Sequence, residues 1–124
     1  MLLADVLGQV MAVGIEDDGA LTVTHDGTVA SLRTVEIAEG LTMVWLMQIL
    51  ARDLPCTAEL RHRVATQAGG TMFGTVTLTE LPDGRADVIL RYIFPAGGLD
   101  ERALQTLILM VLAGGSEAAR ALAG

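Results

Sequence analysis

Residues 84–112 read "GRADVILRYIFPAGGLDERALQTLILMVL". Two periodicities meet inside this stretch, and their junction decides the fold. From Ala86 to Phe94 the side chains alternate. Ala86, Val88, Leu90, Tyr92 and Phe94 fall on one side; Asp87, Ile89, Arg91 and Ile93 fall on the other. A period of two belongs to a strand. Pro95 and Gly97-Gly98 then break the pattern. Beyond them Leu104, Leu107, Ile108 and Val111 form one seam at helical spacing. Asp100 and Glu101 stand where that helix begins, and the positive end of a helix dipole favours carboxylates. A strand that hands over to a helix through a short corner predicts a sheet and helices sharing one core.

The segments upstream extend the same plan. Thr75, Thr77 and Thr79 alternate with Gly74, Val76 and Leu78, and Pro82-Asp83-Gly84 supplies turn chemistry, so residues 72–94 predict a hairpin. Before it, Thr57 is placed to cap a short helix whose buried stripe is Leu60, Val64 and Ala68, with Gly69-Gly70 at its end. The segment "ALTVTHDGTVASLRTVEI" predicts two strands around Asp26-Gly27, a pair that tolerates the positive φ of a tight hairpin. A third strand, Leu41 to Leu50, follows Glu39-Gly40. Residues 2–13 carry Leu2, Leu3, Val6, Leu7, Val10 and Met11 at helical spacing, with Gly8 weakening that helix. The predicted order is α-β-β-β-α-β-β-α. This is an α+β domain, residues 1–124, with an antiparallel sheet of about five strands and helices packed on it.

Composition narrows the function classes. The chain has 124 residues and 52% hydrophobic content, enough for one real core. Its net charge is −7 and its eight cations are all arginine, so it lacks the clustered positive patch that nucleic acid requires. A single cysteine, Cys56, cannot close an internal disulfide, which fits a reducing compartment. No apolar run reaches the roughly 18 residues of a membrane helix, and "MLLADVLGQVMAVG" lacks the basic start of a secretory signal. A soluble cytoplasmic protein is expected.

The surplus of apolar residues is the informative feature. In the third strand Met43, Trp45, Met47 and Ile49 share one face, while Val44, Leu46 and Leu50 share the other. A strand apolar on both faces is expected to be covered on both. Leu109 and Leu112 lie outside the seam of the last helix on the same count. The excess predicts a homodimer interface or a docking surface for a client protein, with Met43, Trp45, Met47, Leu109 and Leu112 as contact residues. The alternative is that the N-terminal helix folds over the excess. Arg33, Arg91 and Arg102 are either ordinary surface pairs or partners for carboxylates on another chain.

Chemistry is thinly represented. Cys56, just ahead of a helix, reads as a small buried thiol, and His62 falls on another side of that helix. His25 reads as solvated beside its turn, and the run Glu16-Asp17-Asp18 as an exposed turn. Ser31 and Ser116 lack a nucleophile-elbow context. No catalytic, metal-binding or cofactor-binding residue is assigned.

The stretches "FGTVTLTE", "GRADVILRYIFPAGGLDERALQTLILMVL" and "LTMVWLMQILARDLP" together resemble the YbjN family and the type III secretion chaperone-like fold. The resemblance implies a small, acidic, dimeric, non-catalytic protein that binds other proteins, in a chaperone-like or regulatory role. The alternative reading is a sensory module that holds a small apolar ligand between the sheet and the final helix.

Overall fold

The computed structural model describes residues 2–123. Its elements are α1 (Leu3–Gly8), β1 (Val13–Ile15), β2 (Leu21–His25), β3 (Thr28–Ala38), β4 (Leu41–Pro55), α2 (Ala58–Gly70), β5 (Thr75–Glu80), β6 (Arg85–Pro95) and α3 (Glu101–Leu122). The strands form one antiparallel sheet in the order β1-β2-β3-β4-β6-β5. Both α1 and α2 contact α3, which lies on β4, so the helices share one face. The expected α+β architecture is borne out.

The sheet has six strands rather than five. The additional one, β1, pairs Val13 with Val23 and Ile15 with Leu21. It is too short to display a period, and it takes the end of the stretch expected to be helical. Helix α1 stops at Gly8 because glycine loses more backbone freedom in a helix than any other residue. Asp26 and Gly27 both have positive φ, 49° and 83°, as the tight β2–β3 turn requires. The third predicted strand runs on past Leu50 to Pro55, with shifts in its pairing to β6 and Asp53 at φ 55°.

Thr57 caps α2 as expected, its hydroxyl accepting from the Leu60 N–H at 3.1 Å. Leu60 and Val64 are buried, whereas Ala68 is exposed, because the end of α2 has passed the edge of the core. Asp100 caps α3 by accepting from the Ala103 N–H at 2.7 Å. Between sheet and helices the fully enclosed side chains include Leu32, Leu46, Leu90, Leu104, Ile108 and Leu112. Each buried side chain of this size contributes about 1.5–3 kcal/mol of hydrophobic stabilisation. Among the described residues no helix is long and apolar enough to cross a membrane.

Candidate functional site

The inner face of β4 presents Val44, Leu46, Gln48 and Leu50 to the helices. The outer face therefore carries Met43, Trp45, Met47 and Ile49. Pairing places Arg33, Trp45 and Ile93 in one row across β3, β4 and β6, and Ser31, Met47 and Arg91 in the next. A third row holds Val29, Ile49 and Ile89. Trp45 remains 43% exposed and Ile93 50%. The strands outside this centre turn Thr75, Thr77 and Thr79 of β5 and Thr22 and Thr24 of β2 the same way.

An apolar centre bearing Trp, Met and Arg, bordered by small polar residues, has the anatomy of a protein interface. A concavity of about 370 Å³ lies in it, walled by Ser31, Arg33, Trp45, Met47, Arg91 and Ile93. The sequence expectation of cover on both faces of β4 is thus met on one face only by this chain.

The five expected contact residues separate. Met43, Trp45 and Met47 lie together on the open face. Leu109 is half-buried on the flank of α3, beside the 48%-exposed Met110. Leu112 is a correction: it is completely buried inside the fold and offers nothing to a partner. At 100° per residue it lies 40° from Ile108 and 80° from Leu104, within the width of an ordinary core-facing stripe. That stripe continues through Gly115, Ser116 and Ala118 to Leu122.

A second constellation went unread in the sequence. Gln48, fully buried on β4, donates from Nε2 to the Thr28 hydroxyl at 2.8 Å and to the Leu112 carbonyl at 3.1 Å. The Thr28 hydroxyl donates to the His25 carbonyl at 2.6 Å, and the Ser116 hydroxyl donates to the same carbonyl at 3.1 Å. With that arrangement His25 Nδ1 donates to Ser116 Oγ, 2.7 Å away. His25 is therefore held by α3 rather than solvated, which corrects the expectation. The only signal was Gln48 itself, a polar residue in phase with Val44, Leu46 and Leu50. Ser116 is 1% exposed, so its contact with His25 is a structural tie between α3 and the β2–β3 turn and not a nucleophile–base pair open to substrate.

The other candidates are engaged in local structure. The Cys56 thiol is half-buried and meets Arg61, which also pairs with Glu80. His62 lies in a separate shallow groove with Arg63, Thr66 and Gln67. Asp18 accepts from the Ala20 N–H at 3.0 Å and from Arg33 at 2.9 Å, and Glu16 accepts from the Thr22 hydroxyl at 2.6 Å.

The Ala20 N–H first, and Arg33 second, hold the Asp18 carboxyl below its ordinary 3.8. A carboxylate depressed in the folded state contributes stability above its unfolded value and loses it as pH falls through the folded one. An NMR titration of Asp18 is expected to give a midpoint below 3.8, with the Arg33 contact released below it. A midpoint at or above 3.8 would show that the contacts of Asp18 with the Ala20 N–H and with Arg33 are not maintained in solution.

The geometry defines a class first: an α+β domain whose sheet is covered by helices on one side and left open and apolar on the other. Among solved structures, this fold is similar to the crystal structure of YbjN from E. coli, a protein described there as a candidate transcription regulator. The two agree with a TM-score of 0.67 at 11% sequence identity, over 94% of this chain and 85% of that one. At this identity the likeness is one of fold, and it bears out the YbjN-like fold implied by the sequence resemblance. No family model and no curated protein matches the chain.

Proposed function

We propose that this chain is a non-catalytic, homodimeric protein-binding domain of regulatory or chaperone-like type, and that the open sheet face is its client surface. The observation that carries the reading is the row Met43, Trp45, Met47 and Ile49, left without cover by the helices among the described residues. Monomeric proteins seldom leave so continuous an apolar surface unused. Methionine side chains repack at low cost, which suits a surface that accepts extended segments of varied shape.

Self-association is assigned to a different place, the flank of α3 near Leu109 and Met110, which is smaller. Light scattering at micromolar concentration is expected to give the mass of a dimer, and Met110→Glu to halve it. A monomeric parent would remove the dimer from the proposal and leave the client surface standing.

The client surface has its own test. A photo-crosslinking residue at Met47 is expected to join the chain to one partner protein in cells, whereas the same residue at Thr66 on α2 is not. Equal adducts from both positions, or none from Met47, would overturn the assignment. The alternative, a small apolar ligand between sheet and final helix, meets a layer already filled by Leu32, Leu46, Leu90, Leu104, Ile108 and Leu112.

A further inference from the structure

Five arginines of the chain are in ion pairs: Arg33 with Asp18, Arg61 with Glu80, Arg63 with Glu59, Arg85 with Asp53 and Arg120 with Asp26. Among the described residues Arg91 makes no such pair, although acidic residues outnumber basic ones by 15 to 8. It sits in the apolar centre of the open face, one row from Arg33 and on the opposite side of β4. Strands lie about 4.8 Å apart, so the two backbones are roughly 10 Å apart across β4, and both side chains wall the same concavity.

The strand rows through this concavity carry no carboxylate of their own, and the acid that reaches its wall, Asp18, is already engaged with Arg33. The nearest acid in phase on β6 is Asp87, whose Oδ1 already accepts from the Asp53 N–H at 2.9 Å. Around two guanidiniums the wall is Trp45, Met47 and Ile93.

We propose that the occupant of the open face is an extended polypeptide segment whose sheet-facing side chains, at every second position, are an acidic residue flanked by apolar ones. An Asp or Glu is received by Arg91, while apolar side chains two residues away on either side, which face the sheet with it, cover Trp45, Met47 and Ile93. This rests on the open face being the client surface and adds the chemistry of the client. A carboxylate on the Arg91 guanidinium forms charge-assisted, forked hydrogen bonds, among the stronger polar contacts available to a surface. A second copy docked face to face would bring the two unpaired Arg91 guanidiniums together, a like-charge contact that disfavours it. Nucleic acid is excluded by the net charge of −7.

The test uses the whole chain and its one tryptophan, Trp45, as the reporter. Synthetic extended peptides with one Glu flanked two residues away on either side by Leu or Val are titrated against it, beside versions with Gln or Lys in place of Glu. A fourth arm uses dodecanoate, a small amphipathic carboxylate. Saturable change of Trp45 emission is expected with the Glu peptide, about tenfold weaker binding with the Gln version, and none with the Lys version. Arg91→Gln is expected to weaken the Glu peptide about tenfold and leave the Gln peptide unchanged. Raising salt from about 0.05 to 0.5 M should weaken the Glu peptide only.

Equal binding of all three peptides, or no effect of Arg91→Gln, overturns the acidic specificity. Tighter binding of dodecanoate than of the Glu peptide reassigns the concavity to a small molecule. Emission that shifts with protein concentration alone points to a second copy and overturns the proposal. If the Met47 crosslink succeeds while the Glu peptide fails, the client surface stands and its proposed chemistry falls.

Discussion

Leu112→Glu is expected to leave the chain unfolded at room temperature, while Trp45→Glu leaves it folded with a loss of at most about 2 kcal/mol. The two residues were expected to serve the same surface. The fold puts them on opposite sides of β4, Leu112 fully enclosed on the core side of α3 and Trp45 43% exposed on the open face. Truncating a buried leucine alone costs about 2–5 kcal/mol. An unpaired carboxylate in its place adds several more, through desolvation or through the work of keeping it protonated. Against a typical total stability of about 5–15 kcal/mol, that sum removes most or all of the margin. Far-ultraviolet circular dichroism and a thermal melt read both outcomes. A Leu112→Glu variant that melts like the parent would show that α3 does not lie on the sheet as described.

Gly115→Ala is expected to lower stability by about 2 kcal/mol, although helix propensity alone favours the substitution by about 1 kcal/mol. A Cβ at this position would come within 1.9 Å of Gln48 Oε1 and 2.5 Å of its Cδ. The end of a glutamine side chain is ordinarily free to swing away. Here it is fully buried and fixed through Nε2 to Thr28 and to the Leu112 carbonyl. Displacing it leaves buried polar groups without partners, at about 1–3 kcal/mol, and overpacking adds about as much. The thermal midpoint should fall by roughly 8 °C. Replacing Gln48 by Ala in the Gly115→Ala background should recover part of that loss, so that the double-mutant cycle gives a coupling of about 1 kcal/mol or more. A variant stabilised by the full helix-propensity gain would mean that the helix and the amide do not meet.

The two-period stretch at residues 84–112 made the α+β architecture legible, and the alternation along β4 made the open face legible. Met43, Trp45 and Met47 could be placed together because a strand has only two sides. Helices are harder, since an apolar stripe is wide and its edges depend on what it packs against. Leu112 was misplaced for that reason. The stripe also continues in Gly115, Ser116 and Ala118, whose small size allows close packing but carries little hydropathy. Strand β1 escaped because three residues hold no period.

The Gln48 cluster was unreadable for a different reason. Its members come from β2, β3, β4 and α3, separated by up to 91 residues, and none is unusual in its own segment. Arg91 was visible as a residue, but its lack of a partner is a property of the assembled sheet.

Gln48 and Gly115 also answer a problem of alignment along the helix axis. An apolar helix on an apolar sheet has several positions of nearly equal burial, one turn apart. A slide of one turn in either direction would replace Gly115 by Val111 or Ala119, and each carries a Cβ where the amide lies. Only one setting offers a notch for the side chain and a carbonyl for its N–H. The buried amide thus works as a key that selects one seating of α3 among otherwise similar ones. Its cost in desolvation is the counterpart of that selectivity, and a leucine in its place would trade a single seating for a greasier, more slippery one.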